Sequence, residues 1–220
     1  MGLFKSIKNA LQTIKGYLEA RNARKKAEEL WRNANSHNYT KATADYRWIA
    51  EVGNHTYGTI DVYHYGNPSE RLQIGHFCSI AAGVTFLTGG NHPLNTLSQY
   101  PFDAYFKTGV PHSTPTKGPI VVEDDVWIGM GATILSGAHI GQGAVIAAQS
   151  TVAKDVPPYA IYAGNKVVKY RFPEKYIEKL IKFDYSKLTP EDIIKNRDIL
   201  GKEIDDSFFE SEFYKSHLKD

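Results

Sequence analysis

The 220-residue sequence predicts a mainly β fold: a parallel β-helix of hexapeptide repeats, with a helix before it, a loop inserted into it and helices after it. Three observations predict this. Over residues 120–157 an Ile or Val recurs every sixth position, at Val122, Ile128, Ile134, Ile140, Ile146 and Val152. Four residues after each comes a compact side chain: Val126, Ala132, Ala138, Ala144, Ser150 and Val156. A period of six matches neither the helical repeat of about 3.6 nor strict alternation. It suits a chain that runs straight briefly, turns a corner and repeats, so that three sides close a triangular coil of about eighteen residues. Second, the repeat is interrupted once, over residues 87–118. Third, residues 1–34 follow a different period, with Phe4, Ile7, Leu11, Ile14 and Leu18 at spacings of three and four.

The elements follow in order. Residues 1–50 read as an N-terminal amphipathic helix and linker. From Lys5 to Lys26 the cations Lys5, Lys8, Lys15, Arg21, Arg24, Lys25 and Lys26 outnumber the one acid, Glu19. Such a helix can pack on its own oligomer or lie on an anionic membrane surface. Residues 35–47 are polar and read as loop. The coil proper is expected over 51–165, starting at Val52-Gly53-Asn54-His55-Thr56-Tyr57, with a short insertion in 58–71 and regular repeats resuming at Ile74 and Ile80. Gly129, Gly131, Gly141 and Gly143 beside the anchors suit corners, where positive φ is useful. Residues 166–220 read as a C-terminal helical extension of two segments. Pro173 starts one at its first helical position, and Thr189-Pro190-Glu191-Asp192 caps the other.

Composition excludes several classes. The formal net charge is +2, so nothing in the balance calls for nucleic acid. One cysteine leaves no intrachain disulfide framework, and Cys78 holds the compact position of a hexapeptide, which reads as core. There is no run of about eighteen apolar residues and no signal-peptide core, so the expected location is the cytoplasm, with the basic helix available to the inner face of the membrane.

Candidate chemistry concentrates in the interruption, because a long excursion from a compact fold often carries function. It contains Gly89-Gly90-Asn91-His92-Pro93 and Tyr100-Pro101-Phe102. His92 is the first candidate base there, since an imidazole can take a proton near neutral pH. Glu123, Asp124 and Asp125 read as a solvated corner, and Trp127, at an outward position, as a groove wall or subunit contact.

These motifs in this order, followed by Asp-Asp-Val-Trp-Ile-Gly at 124–129 and Ala-Ala-Gln-Ser-Thr-Val-Ala-Lys-Asp-Val-Pro-Pro-Tyr-Ala at 147–160, resemble the xenobiotic acetyltransferase branch of the hexapeptide acyltransferases. That branch includes type B chloramphenicol and streptogramin acetyltransferases and related sugar or polysaccharide O-acetyltransferases. The resemblance covers roughly residues 50–172. It implies a left-handed coil, a homotrimer, acetyl-CoA as donor, active sites between adjacent subunits and no metal. It implies that His92 is the general base, and that the Met130 N–H faces the thioester oxyanion. Ala148, Ala153 and Lys154 would line the pantetheine groove, with Lys166, Lys169 and Arg171 toward the phosphates. One departure stands out: the family's Gly-Asn-Pro-Ala is shortened here to Gly164-Asn165 followed directly by Lys166.

The expected function is therefore acetyl transfer to a hydroxyl of a sugar or glycan, as in surface-polysaccharide assembly. A xenobiotic hydroxyl or a sugar amine is the alternative acceptor. A metal-dependent hydratase on the same fold would need three imidazoles on one ion. Its paired histidines lie five residues apart, whereas the residue five after His92 is Leu97, and His76, His112 and His139 show no such spacing. A non-catalytic trimeric scaffold is the remaining class.

Overall fold

The computed structural model describes residues 2–106, 108–109 and 114–220, without the side chains of residues 2–5. His112, and the side chains of Phe4 and Lys5, lie outside that description. Among the described residues three sheets form the walls of a prism. A seven-stranded sheet runs Tyr39–Ala42, Tyr57–Ile60, Ser79–Ile80, Trp127–Ile128, Val145–Ile146, Ala160–Ala163, Lys166–Tyr170. One four-stranded sheet holds Val62–Tyr63, Thr85–Leu87, Thr133–Leu135 and Thr151–Val152, the other Ala50–Val52, Leu72–Ile74, Ile120–Val122 and His139–Ile140. All pairings are parallel except the last, so this is a parallel β-helix. Its register follows from the sequence period. Ile146 pairs beside Ile128, Val152 beside Ile134 and Ile140 beside Val122, each eighteen residues apart, or three hexapeptides.

The interior is what the repeat dictates. Ile128, Ile134, Ile140, Ile146 and Val152 are fully buried, and so are the compact Ala132, Ala138 and Ala144. Successive corners fall at 123–125 and 141–143 (first), 129–131 and 147–149 (second), and 136–137 and 154–155 (third). Gly131 and Gly143 do adopt positive φ, +68° in each case. Gly129 and Gly141 do not: they are required for close approach, because a Cβ there would lie 2.5 Å from Ala148 N and 2.6 Å from Pro158 N. At the first corner the positive φ falls largely on larger residues, His55, Phe77, Asp125 and Tyr159.

Two expectations are corrected. The polar stretch 35–47 holds a strand, Tyr39–Ala42, so the coil starts a turn earlier than its hydrophobic repeat does. Its inward positions are Thr40 and Ala42, and Thr40 is tolerated inside because its hydroxyl accepts from Trp31 Nε1 and donates to Asn38 Oδ1. The turn over 58–71 is irregular as expected, with strands Tyr57–Ile60 and Val62–Tyr63 followed by a loop at 64–71. Finally, the chain does not pass directly from coil to helix: Lys166–Tyr170 returns antiparallel on Ala160–Ala163.

The N-terminal helix spans Gly2–Ala34, and its last turn closes the top of the coil through the fully buried Trp31 and through Arg32, which donates to the Asn38 and Thr40 carbonyls. After the antiparallel strand come short helices at Glu174–Leu180, Pro190–Lys195, Arg197–Leu200 and Glu212–Ser216. Pro173 is the N-cap of the first rather than its first helical residue, and Thr189 and Asp192 form a reciprocal capping box on the second. These helices bury a second core of Leu180, Phe183, Leu188, Phe209, Phe213 and Tyr214 against Tyr159 at the first corner.

Because the interior admits little relaxation, Ile134→Ala should destabilise the fold by about 2–5 kcal/mol in urea unfolding. Leu97→Ala, on a fully exposed side chain, should change it by less than about 0.5 kcal/mol.

Candidate active site

The excursion leaves the coil after Thr85–Leu87, at the third corner, and returns at Ile120–Val122. Its two ends are stitched together and to the wall. Asn91 N donates to Pro115 O at 3.1 Å, Thr116 Oγ1 to Thr88 O at 2.6 Å and Gly137 N to Gly118 O at 3.0 Å. Asn91 Nδ2 reaches Ser136 Oγ on the neighbouring turn at 3.0 Å.

Beneath this seam lies Glu70, a fully buried carboxylate. It accepts from Tyr65 N with both oxygens at 3.0 and 3.1 Å, from Asn67 N at 2.9 Å and from Thr88 Oγ1 at 2.7 Å. A carboxylate removed from water is tolerable only with its lone pairs met in this way. The donors come from two separate segments, so Glu70 ties the 64–70 loop to the first residue of the excursion. The next two positions must be glycine. A Cβ on Gly89 would sit 2.7 Å from the Glu70 carboxylate, and Gly90, at φ +81°, has no room against the Tyr65 ring.

Two residues later stands His92. Its Nδ1 lies 2.6 Å from Gln99 O. A carbonyl oxygen only accepts, so Nδ1 carries the proton and Nε2 keeps the lone pair, which is the tautomer of a general base. The imidazole opens on a cleft of about 920 Å³ whose walls include Tyr65, Leu97, Tyr100, Phe102 and Tyr105. The rings of Tyr100 and Phe102 are 5.2 Å apart, those of Tyr100 and Tyr105 5.5 Å, and all three are exposed. Asp103 also borders the cleft. The site is thus an aromatic rim around one oriented base.

The other expected residues are not in this cleft. Met130, exposed, and Ala148 stack at the second corner, where Gln149 N donates to Met130 O at 2.8 Å. Among the described residues the Met130 N–H meets no acceptor. Ala153 and Lys154 are exposed at the third corner, one turn beyond Ser136. Lys166 and Lys169 project from the antiparallel strand. Arg171 has different partners from those expected. Its guanidinium donates to Gly143 O at 2.6 Å and Asp125 Oδ2 at 3.2 Å, and lies over the Tyr159 and Phe172 rings. It fastens the C-terminal helices to the first corner. Burial raises the Asp125 carboxyl above its usual range, against the opposing pull of Arg171.

Glu70 was missed in sequence because 58–71 read as an insertion. The signal was present: Glu70, Leu72 and Ile74 alternate, and all three point inward. Cys78 is buried as expected. Burial pushes its thiol up to about 12, and Sγ donates to Glu123 O at 3.1 Å. Among the described residues no group of three or more His, Cys, Asp or Glu is placed to hold a metal ion.

Residues 119–154 match the family model described as bacterial transferase hexapeptide (six repeats). A probable macrolide acetyltransferase from Lysinibacillus sphaericus is 44% identical over 150 residues, 64% of this chain and 83% of that protein. The chain belongs to the hexapeptide-repeat acetyltransferases. A chloramphenicol acetyltransferase from Klebsiella aerogenes is 38% identical over 125 residues, 53% of this chain and 59% of that one. In fold, a hexapeptide-repeat acetyltransferase from Vibrio cholerae superposes with a TM-score of 0.52 at 23% identity, covering 70% of this chain and 90% of its own. That likeness fits the left-handed β-helix of these acetyltransferases.

Two outcomes follow for such an enzyme. Glu70→Gln, which trades one acceptor oxygen for an amide N–H facing donors, should lower acetyl-transfer turnover by about tenfold or more and destabilise the fold by about 1–3 kcal/mol in urea unfolding. Cys78 should resist iodoacetamide until the chain is unfolded, as mass spectrometry would read. Cys78→Ala should keep turnover within about threefold, since the thiol is buried and held protonated.

Proposed function

We propose that this chain transfers the acetyl group of acetyl-CoA directly to a hydroxyl of a bulky, ring-bearing acceptor, with His92 as general base. The observation that carries this reading is the His92 imidazole, held by Gln99 O with Nε2 free beside an aromatic cleft. Nε2 takes the proton of the acceptor hydroxyl as that oxygen bonds the acetyl carbonyl carbon. The imidazolium then returns the proton to the sulfur as the C–S bond breaks, giving an ester and free CoA. A covalent acyl-enzyme has no support, because the one thiol is buried and held protonated.

The residues for the donor fit in kind. The Met130 N–H suits the developing oxyanion, Ala148 and Ala153 leave room for a narrow pantetheine arm, and Lys154, Lys166 and Lys169 are exposed cations for phosphates. In one chain Met130 and Ala148 lie a full side of the coil from the third corner, where the excursion starts. We therefore place the donor groove on an adjacent subunit of a homotrimer, facing the His92 cleft.

For the acceptor, the cleft's exposed rings favour an apolar, ring-rich molecule of xenobiotic kind, in keeping with the macrolide and chloramphenicol relatives. The glycan expected from sequence is a second reading, favoured by Asp103 beside the exposed Tyr100 and Phe102 rings, since rings with a carboxylate also suit sugar faces and hydroxyls.

The test is CoA release from acetyl-CoA over a panel of macrolides, chloramphenicol, streptogramins, sugars, nucleotide sugars and short glycans. Acceptor-dependent release should fall by about a hundredfold to ten-thousandfold in His92→Ala. Unchanged turnover in that variant would remove His92 as base, and absence of acetyl-CoA binding would return the chain to the scaffold class.

A further inference from the structure

We propose that the N-terminal helix is a docking surface for an anionic lipid bilayer. The proposal stands apart from the acetyl-transfer reading and rests on the helix alone. At 33 residues the helix is about 50 Å long at the rise of an α-helix. It meets the coil through its final turns, where Trp31 is buried and Arg32 binds the strand carbonyls. Every side chain from Ser6 to Lys26 is exposed.

That exposed length is not uniform around its axis. Ile7, Leu11, Ile14 and Leu18 are 50%, 62%, 55% and 46% exposed. With Ala10 and Tyr17 they occupy one face, roughly 120° wide at helical spacing. Lys8 and Lys15 border it, and Lys15 has only a weak exposed pairing with Glu19 at 3.8 Å. Toward the coil the same face continues as Arg21 and Lys25, with Arg24 and Lys26 beside them, before the acids Glu28 and Glu29. No described helix is long and apolar enough to cross a membrane, and a helix lying in the interface needs no such span.

Two occupants could cover an apolar face of this spacing. Parallel copies of the chain would join the Ile7–Leu18 seam as a coiled coil, but the seam would then press Arg21 and Lys25 against their own counterparts, between that seam and the coil. Lys8 and Lys15 would flank it, facing Ala10 and Tyr17 rather than acids. An anionic bilayer accepts both halves at once, the apolar face at the acyl boundary and the cations among the headgroups.

The full chain should be sedimented with vesicles of phosphatidylglycerol and phosphatidylcholine in equal parts, and with phosphatidylcholine alone. Pelleting with the anionic vesicles is expected to exceed that with neutral ones by about tenfold and to fall in high salt. Arg21→Glu with Lys25→Glu should weaken it by about tenfold or more, since each cation near such a surface contributes roughly a fivefold partition. Leu11→Asp with Ile14→Asp should abolish it while leaving the thermal unfolding of the coil unchanged, because these side chains touch nothing in the coil. Equal partition to both vesicle types, or to neither, would overturn the proposal. A loss of oligomer mass in Leu11→Asp by light scattering, without vesicle binding, would assign the face to a second copy instead.

Discussion

The stacking of one branched aliphatic side chain on another at eighteen-residue intervals sets the terms for everything else in this molecule. Ile128 over Ile146 and Ile134 over Val152, with Ile140, Leu72 and Phe86, fill a triangular interior. With strands of two or three residues, hydrogen bonding alone would fix little. The register is held because a slip of one residue would turn the aliphatic set outward and drive polar corners inward. The same constraint forces compact residues at the corners and glycine where adjacent turns touch, as at Gly129 and Gly141.

A wall this regular makes its single long interruption chemically useful. The excursion would be an ordinary surface loop if its ends were loose, but the buried Glu70, the Gly89–Gly90 pair and the Asn91–Ser136 contact fix where His92 begins. The Gln99 carbonyl then fixes which ring nitrogen is free. Rigidity is passed from coil to seam to base by bonds that each have a donor and an acceptor. The C-terminal helices do comparable work at the first corner. There Asp125 and Tyr159 hold positive φ without being glycine, and Arg171 and the aromatic cluster pack against both.

Much of this was legible in the sequence because the interior has a strict period. The anchors, the compact positions, the burial of Cys78 and the extent of the interruption could all be read by counting. What could not be counted was polar. The strand Tyr39–Ala42 hides because its inward Thr40 is stabilised by partners, Trp31 and Asn38, that no hydropathy pattern reveals. Glu70 hides for the same reason, a charged residue in an inward phase whose donors lie on other segments. Arg171 could be read as a cation, but its engagement with Asp125 and Gly143 depends on a corner built 28 to 46 residues earlier. Composition also could not say that the excursion bearing His92 leaves from a different corner than the one holding Met130 and Ala148, which is the arrangement behind the proposal of a site shared between subunits.

That claim of a shared site is best tested by mixing subunits. His92→Ala and Ala148→Trp, each inactive alone, should be unfolded together and reassembled. If the base and the donor groove come from different chains, random assembly leaves about a quarter of the sites with both halves intact, and activity should return to about that fraction. No recovery above the separate variants, with reassembly confirmed by mass, would mean that one chain supplies both halves, and the site drawn here between subunits would be wrong.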